Sequence, residues 1–186
     1  MAVMNSAIPS PDDVIAKTKN WLDKAVIGLN LCPFAKAVYV QDKVRYFVST
    51  ATEAEELAQD LVNELQQLSE TDIKVTDTTL VIHPFALGDF LDFNDFLDVA
   101  DAAISELGFD GVFQIASFHP QYQFSGTEPE DIENYTNRAP YPILQILREE
   151  SIEKGLTAFP NPDEIFEKNI ETLRQLGHEG WKKLKI

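Results

Sequence analysis

Apolar residues at Val14, Trp21, Leu22, Ala25, Val26 and Leu29 keep the three- and four-residue steps of one helical face. Ser10, Pro11, Asp12 and Asp13 open this helix with a capping hydroxyl, a proline at the first helical position and acids near the positive end of the dipole. Gly28 and Asn30 weaken its end. The segment 43–49, "KVRYFVS", is β-branched and aromatic and predicts a strand. Thr52 and Glu55 then make a capping box for a second helix, whose stripe is Leu57, Leu61, Val62, Leu65 and Leu68.

The pattern continues with a strand over 78–83, a helix over 92–107 stopped at Gly108, and a strand over 112–118. Proline-marked helices over 141–154 and 162–176 follow, the last capped by Asn161 and stopped by Gly177. Strands alternating with helices of this length predict an α/β fold. The expectation is a single domain with a small, mainly parallel sheet of three or four strands and about five helices, with 73–76 a candidate extra strand. Residues 1–9 read as a flexible N-terminus, 10–178 as the domain and 179–186 as a C-terminal tail. If the three main strands are parallel, Ser49, Thr50, His83 and His119 share the carboxyl edge, where open α/β sheets bind ligands.

Composition changes the picture mainly through charge. The chain has 186 residues, 44% hydrophobic and 25% charged, without a run of apolar residues long enough to span a bilayer or a secretory signal pattern. A cytoplasmic protein with no membrane partner is expected. The formal net charge of −16 repels phosphate backbones, and only the short segment "WKKLKI" concentrates cations, so nucleic acid is not an expected partner. Five aspartates, Asp89, Asp92, Asp95, Asp98 and Asp101, stand three apart. On a helix that step winds by about 60° per interval, so they make a solvated spiral rather than a cation cage.

Four features carry candidate chemistry. The single cysteine, Cys32, precedes Pro33 as Ser10 precedes Pro11; at a helix N-cap its thiol pKa would be lowered, and elsewhere it is a small buried apolar residue. His83 and His119 end successive strands and each is followed by proline, a repetition that favours function over two unrelated structural imidazoles. The stretch from 119 to 140 is long for a connection and carries Tyr122, Phe124, Ile132 and Tyr135, so it reads as a lid that packs down. Arg138 lies before an expected helix start, where it either holds an anion or pairs with an acid of the same loop. His178, after Gly177, suits a helix end and is given no role.

The segments "LNLCPFA", "VIHPF", "FHPQYQF" and "NRAPYPILQILRE", in this order, resemble a bacterial family catalogued only as a domain of unknown function, over about residues 14–178. The resemblance implies no activity or substrate. It implies that Cys32, His83, His119, Tyr122, Asn137, Arg138 and Arg148 belong to the segments that characterise such proteins.

Three readings stay open. In the first, Cys32 is a nucleophile, His119 its general base and His83 an orienting group. Arg138 holds a small anionic substrate there, with Tyr122, Asn137 and Arg148 completing the pocket, and no cofactor is required. In the second, Cys32, His83 and His119 ligate zinc or copper. In the third the chain is no enzyme: the edge binds a small anion or a protein, and the histidines are hydrogen-bond posts.

Overall fold

Val81, Leu144 and Ile146 point to one side of a four-stranded sheet, and Leu80, Ile82 and Ile143 to the other; both sets are buried. The computed structural model describes residues 8–159 and 161–186; the first seven residues of the expected flexible start lie outside them. Helix α1 (Pro11–Trp21) begins as its sequence demands, with the Asp13 N–H donating to Ser10 Oγ at 3.2 Å and Asp13 capping Ser10 in return. Its end widens into a π turn, Leu22–Ile27. A Cβ on Gly28 would stand 2.5 Å from the Lys24 carbonyl oxygen, so this exit requires glycine.

A short helix α2 (Ala35–Val40) precedes strand β1 (Val44–Val48). Helix α3 (Ala54–Glu70) starts one residue later than the predicted box: Glu56 accepts from the Thr52 and Glu53 N–H groups, and Glu53 is the cap. Strand β2 (Thr78–Ile82), helix α4 (Phe90–Glu106) and strand β3 (Phe113–Phe118) follow, and 73–76 is a turn, not a strand.

The predicted helix over 141–154 is half strand. Ile143–Arg148 forms β4, and helix α5 begins only at Glu149 and ends at Ala158. β4 lies between β2 and β3 with Ile143, Leu144 and Ile146 fully buried, so both faces are apolar. A strand buried on both sides loses the two-residue alternation that distinguishes it from a helix.

The sheet order is β1-β2-β4-β3, with β1 and β2 parallel and β4 antiparallel to both its neighbours. The α/β class and small sheet stand as expected. Three of four strands run one way, although only one adjacent pair is parallel.

Helices α3 and α4 cover one face, through Leu57, Leu61, Leu65 and Phe93 among others. The opposite face packs against α1, its π turn and helix α6 (Pro162–Lys183), through Val14, Trp21, Ala25 and Leu173. Burying a side chain such as Leu61 or Phe93 contributes about 2 to 3 kcal/mol. Gly177 interrupts α6 at φ 63°, but helix resumes beyond it, and Trp181 and Ile186 pack on the second cluster rather than trailing as a tail. Among the described residues no helix is long and apolar enough to cross a membrane.

Candidate functional site: a buried histidine pair behind a groove

Register places the candidate edge. Val48 stands beside Ile82, Ile82 beside Ile143, and Ile143 beside Phe118. The ladder continues one residue further on β1 and β2, where the Ser49 N–H donates to Ile82 O at 2.8 Å and the His83 N–H to Pro142 O at 3.1 Å, while beyond β3 the His119 N–H turns to the loop and donates to Asn137 O at 3.1 Å. Ser49, His83 and His119 therefore form a row across the carboxyl ends of β1, β2 and β3. Alternation sends all three to the α3/α4 face, and all are fully buried. Ser49 Oγ donates to Asp60 Oδ2 on α3 at 2.6 Å and accepts the Ala51 N–H at 3.0 Å.

The histidines are engaged in one task. His83 Nδ1 lies 3.0 Å from the Ala86 carbonyl, and His119 Nε2 lies 3.1 Å from that of Leu87. Each contact requires the ring nitrogen to carry the proton. His119 Nδ1 accepts the Gln121 N–H at 3.0 Å, which fixes its tautomer. Both rings pack on Phe93, with centroids at 5.7 and 5.0 Å. Burial pushes the His83 pKa down to about 4 and also lowers that of His119, against the pull of the carbonyls and of Asp89, so both rings are neutral near neutrality. Among the described residues His83 Nε2 has no hydrogen-bond partner.

The clamped turn is itself unusual. Leu87 adopts φ 55°, a left-handed conformation that a leucine rarely takes, and Asp89 immediately caps α4 by accepting from the N–H groups of Leu91 and Asp92. On its outer side the turn lines a groove of about 550 Å³ between the starts of α3 and α4. Leu87, Gly88 and Phe96 meet Glu53, Asp92 and Asp95 there.

The other expected site residues divide. Tyr122 packs its ring on Phe90 at 5.2 Å, and Phe90 in turn lies 5.5 Å from His119. Asn137 supports the row by donating from Nδ2 to Ser117 O at 3.1 Å and by accepting the His119 N–H. Arg138 holds its own loop: Nε donates to Tyr122 O at 3.2 Å, Nη2 to the Pro129 carbonyl, and the guanidinium lies 4.4 Å from the Tyr135 ring centre. It neither pairs with a loop acid nor precedes a helix, because a strand follows.

Arg148 stands at the other end of the sheet, opposite Phe113, and donates to the carbonyls of Leu68, Thr71 and Thr76. Among the described residues those of Thr71 and Thr76 have no backbone donor, and that of Leu68 also accepts the Thr71 N–H, so Arg148 is a buried clamp at the α3 end and the following turn and not part of the edge.

Cys32 is not a helix cap. Helix α2 starts at Ala35 after Phe34, and Cys32 packs on the α1/α6 face, the layer opposite the histidines. Burial pushes its thiol pKa up, outweighing the Phe34 and Ala35 N–H groups that favour the thiolate. Among the described residues no three His, Cys, Asp or Glu side chains are grouped as metal ligands, so Cys32, His83 and His119 do not form a ligand set.

Sequence reasoning missed Asn134, which organises the long loop. It is fully buried, accepts the Phe124 N–H and the Thr127 hydroxyl on Oδ1, and donates to Glu128 O. An asparagine among acidic loop residues suggests local backbone bonding, but burial was not visible. With these bonds the 119–140 stretch is an ordered loop with its own polar core. Asp60 and Phe93 were also missed, the first as one acid among many and the second as one more core position.

No curated protein and no solved structure matches the chain. A family model does, over residues 13–183, which contain the row, the turn and the groove. The chain belongs to the family described as "Protein of unknown function (DUF1415)".

Proposed function

We propose that this chain is a non-enzymatic binding module whose site is the groove between the starts of α3 and α4, and whose ligand is a small organic cation with an apolar body. The observation that carries this reading is the use of both strand-end histidines to hold one turn, Ala86–Leu87, which walls the groove. As neutral hydrogen-bond posts they shape a site; their N–H protons are already committed, and Cys32 lies in the other layer. The groove is open to solvent with a half-polar lining, which suits a ligand that keeps part of its surface in water. Leu87 and Phe96 offer apolar contact, while Asp92 and Asp95 favour positive charge, in a protein whose net charge of −16 draws cations toward it.

Calorimetric titration with alkylammonium and guanidinium compounds tests the reading. The double variant Asp92→Asn/Asp95→Asn is expected to weaken saturable binding about tenfold, whereas Asp163→Asn/Glu164→Gln on α6, an equal change in net charge, leaves it within about twofold. Cys32→Ala binds as the parent does. Equal weakening by both double variants marks a diffuse charge effect and removes the groove as the site.

A further inference from the structure

We propose that the 84–88 turn is a gate between the groove and the buried row of Ser49, His83 and His119, latched while both imidazoles are neutral and released when they take up protons. The proposal rests on the groove reading only for what the gate opens onto.

Three features of the geometry carry it. The turn's carbonyl contacts come from two side chains on strands separated by β4, so both must stay in place for the turn to stay closed. Leu87 at φ 55° stores backbone strain that opening relieves. The third feature is the unpaired Nε2 of His83, fully buried against Phe93. A proton there is a buried donor with no acceptor among the described residues, so charging the ring destabilises the closed packing around it.

His119 works the same way by another route. Protonation turns Nδ1 into a donor facing the Gln121 N–H, so an attraction becomes a donor–donor clash. Against release stand the latch carbonyls of Ala86 and Leu87, which favour charged rings, but burial of the pair outweighs them. Asp89 on α4 is the one carboxylate that favours a charged His119; on α3, Asp60 is engaged by Ser49; and the two imidazoles oppose each other's protonation. Phe90, Phe93 and Tyr122 supply the remaining walls and carry no charge.

The gate is tested by placing a thiol beneath it, Ala86→Cys in a Cys32→Ser background, since Ala86 is 2% exposed. Labelling by 4,4′-dithiodipyridine, divided by the rate for a free thiol, is expected to rise about tenfold or more from about pH 7 to about pH 4.5 while Trp21 fluorescence reports an intact fold. His83→Asn, whose amide stands where Nδ1 does and keeps a donor for Ala86 but does not titrate, is expected to remove most of the rise. A flat rate, a rise that accompanies global unfolding, or the same rise without the histidine overturns the gate. Should the asparagine variant not fold, hydrogen exchange of residues 85–89 in the unaltered chain, divided by the intrinsic rate at each pH, decides: protection that falls with the midpoint of histidine protonation supports the gate, and protection independent of pH overturns it. Labelling reads the turn itself, so a failed gate and a groove that binds nothing give different results.

Discussion

His83 and His119 donate to the carbonyls of neighbouring residues, Ala86 and Leu87, so two strands that never touch hold a single turn. The relationship follows from the register. β4 separates β2 from β3, yet the alternation of side chains past the strand ends brings the two imidazoles onto the same face and the same phenylalanine.

Stability is expected to fall in acid through this pair. The neutral ring is favoured in the fold, so between the ordinary imidazole value of 6.5 and about 4 the unfolded chain binds more protons than the folded one at His83. The contribution is therefore complete above pH 6.5 and is lost as pH drops toward 4, at up to about 1.4 kcal/mol per pH unit. His119 adds in the same direction. Denaturant melts of the parent and of His83→Gln across this window check it: the variant's profile is flatter.

Replacing Arg148 tests a different part of the molecule. Arg148→Met keeps much of the apolar stem but leaves the carbonyls of Thr71 and Thr76 without their donor and that of Leu68 with the Thr71 N–H alone. A loss of about 2 to 4 kcal/mol in urea unfolding is expected, with ligand affinity at the groove unchanged. A change in affinity without a change in stability contradicts the assignment of Arg148 as a clamp.

Asn134→Ala is expected to cost about 1 to 3 kcal/mol, because the Phe124 N–H loses its partner, while the Thr127 hydroxyl keeps the Phe124 carbonyl and the Glu128 carbonyl keeps the Asp131 N–H. Proteolysis checks the location of the damage. Cleavage within 122–134 should accelerate more than cleavage elsewhere.

Cys32 is expected to alkylate with a midpoint above the free-thiol value of about 8.5. Burial raises its pKa, and neither His83 nor His119 shares its layer. The rate of alkylation against pH measures this directly. A midpoint well below that value restores a reactive thiolate.

Much of the fold was legible because it obeys local rules. Ser10 caps α1, the leucine stripe of α3 faces the core, and β1, β2 and β3 fall where β-branched runs predict them. β4 was not legible, since Ile143, Leu144 and Ile146 satisfy a helical spacing as well as a doubly buried strand, and Pro140 and Pro142 imitate helix starts. The row at the carboxyl edge was legible for a physical reason: a polar ring at the end of an apolar run must have a partner there. What each partner was depended on tertiary contacts. Nothing in "LCPFA" reveals that Cys32 faces α1 and α6, nor in "LREE" that Arg148 reaches back to the end of α3.

The most direct test of the histidine account is the long-range ¹H–¹⁵N spectrum of the imidazoles at about pH 7, where tautomer and charge are both visible. The pair should be neutral, His83 carrying its proton on Nδ1 and His119 on Nε2, as the bonds to Ala86 and Leu87 require. An imidazolium at that pH, or the opposite tautomer at either ring, would contradict the clamp and return the histidines to the list of reactive groups.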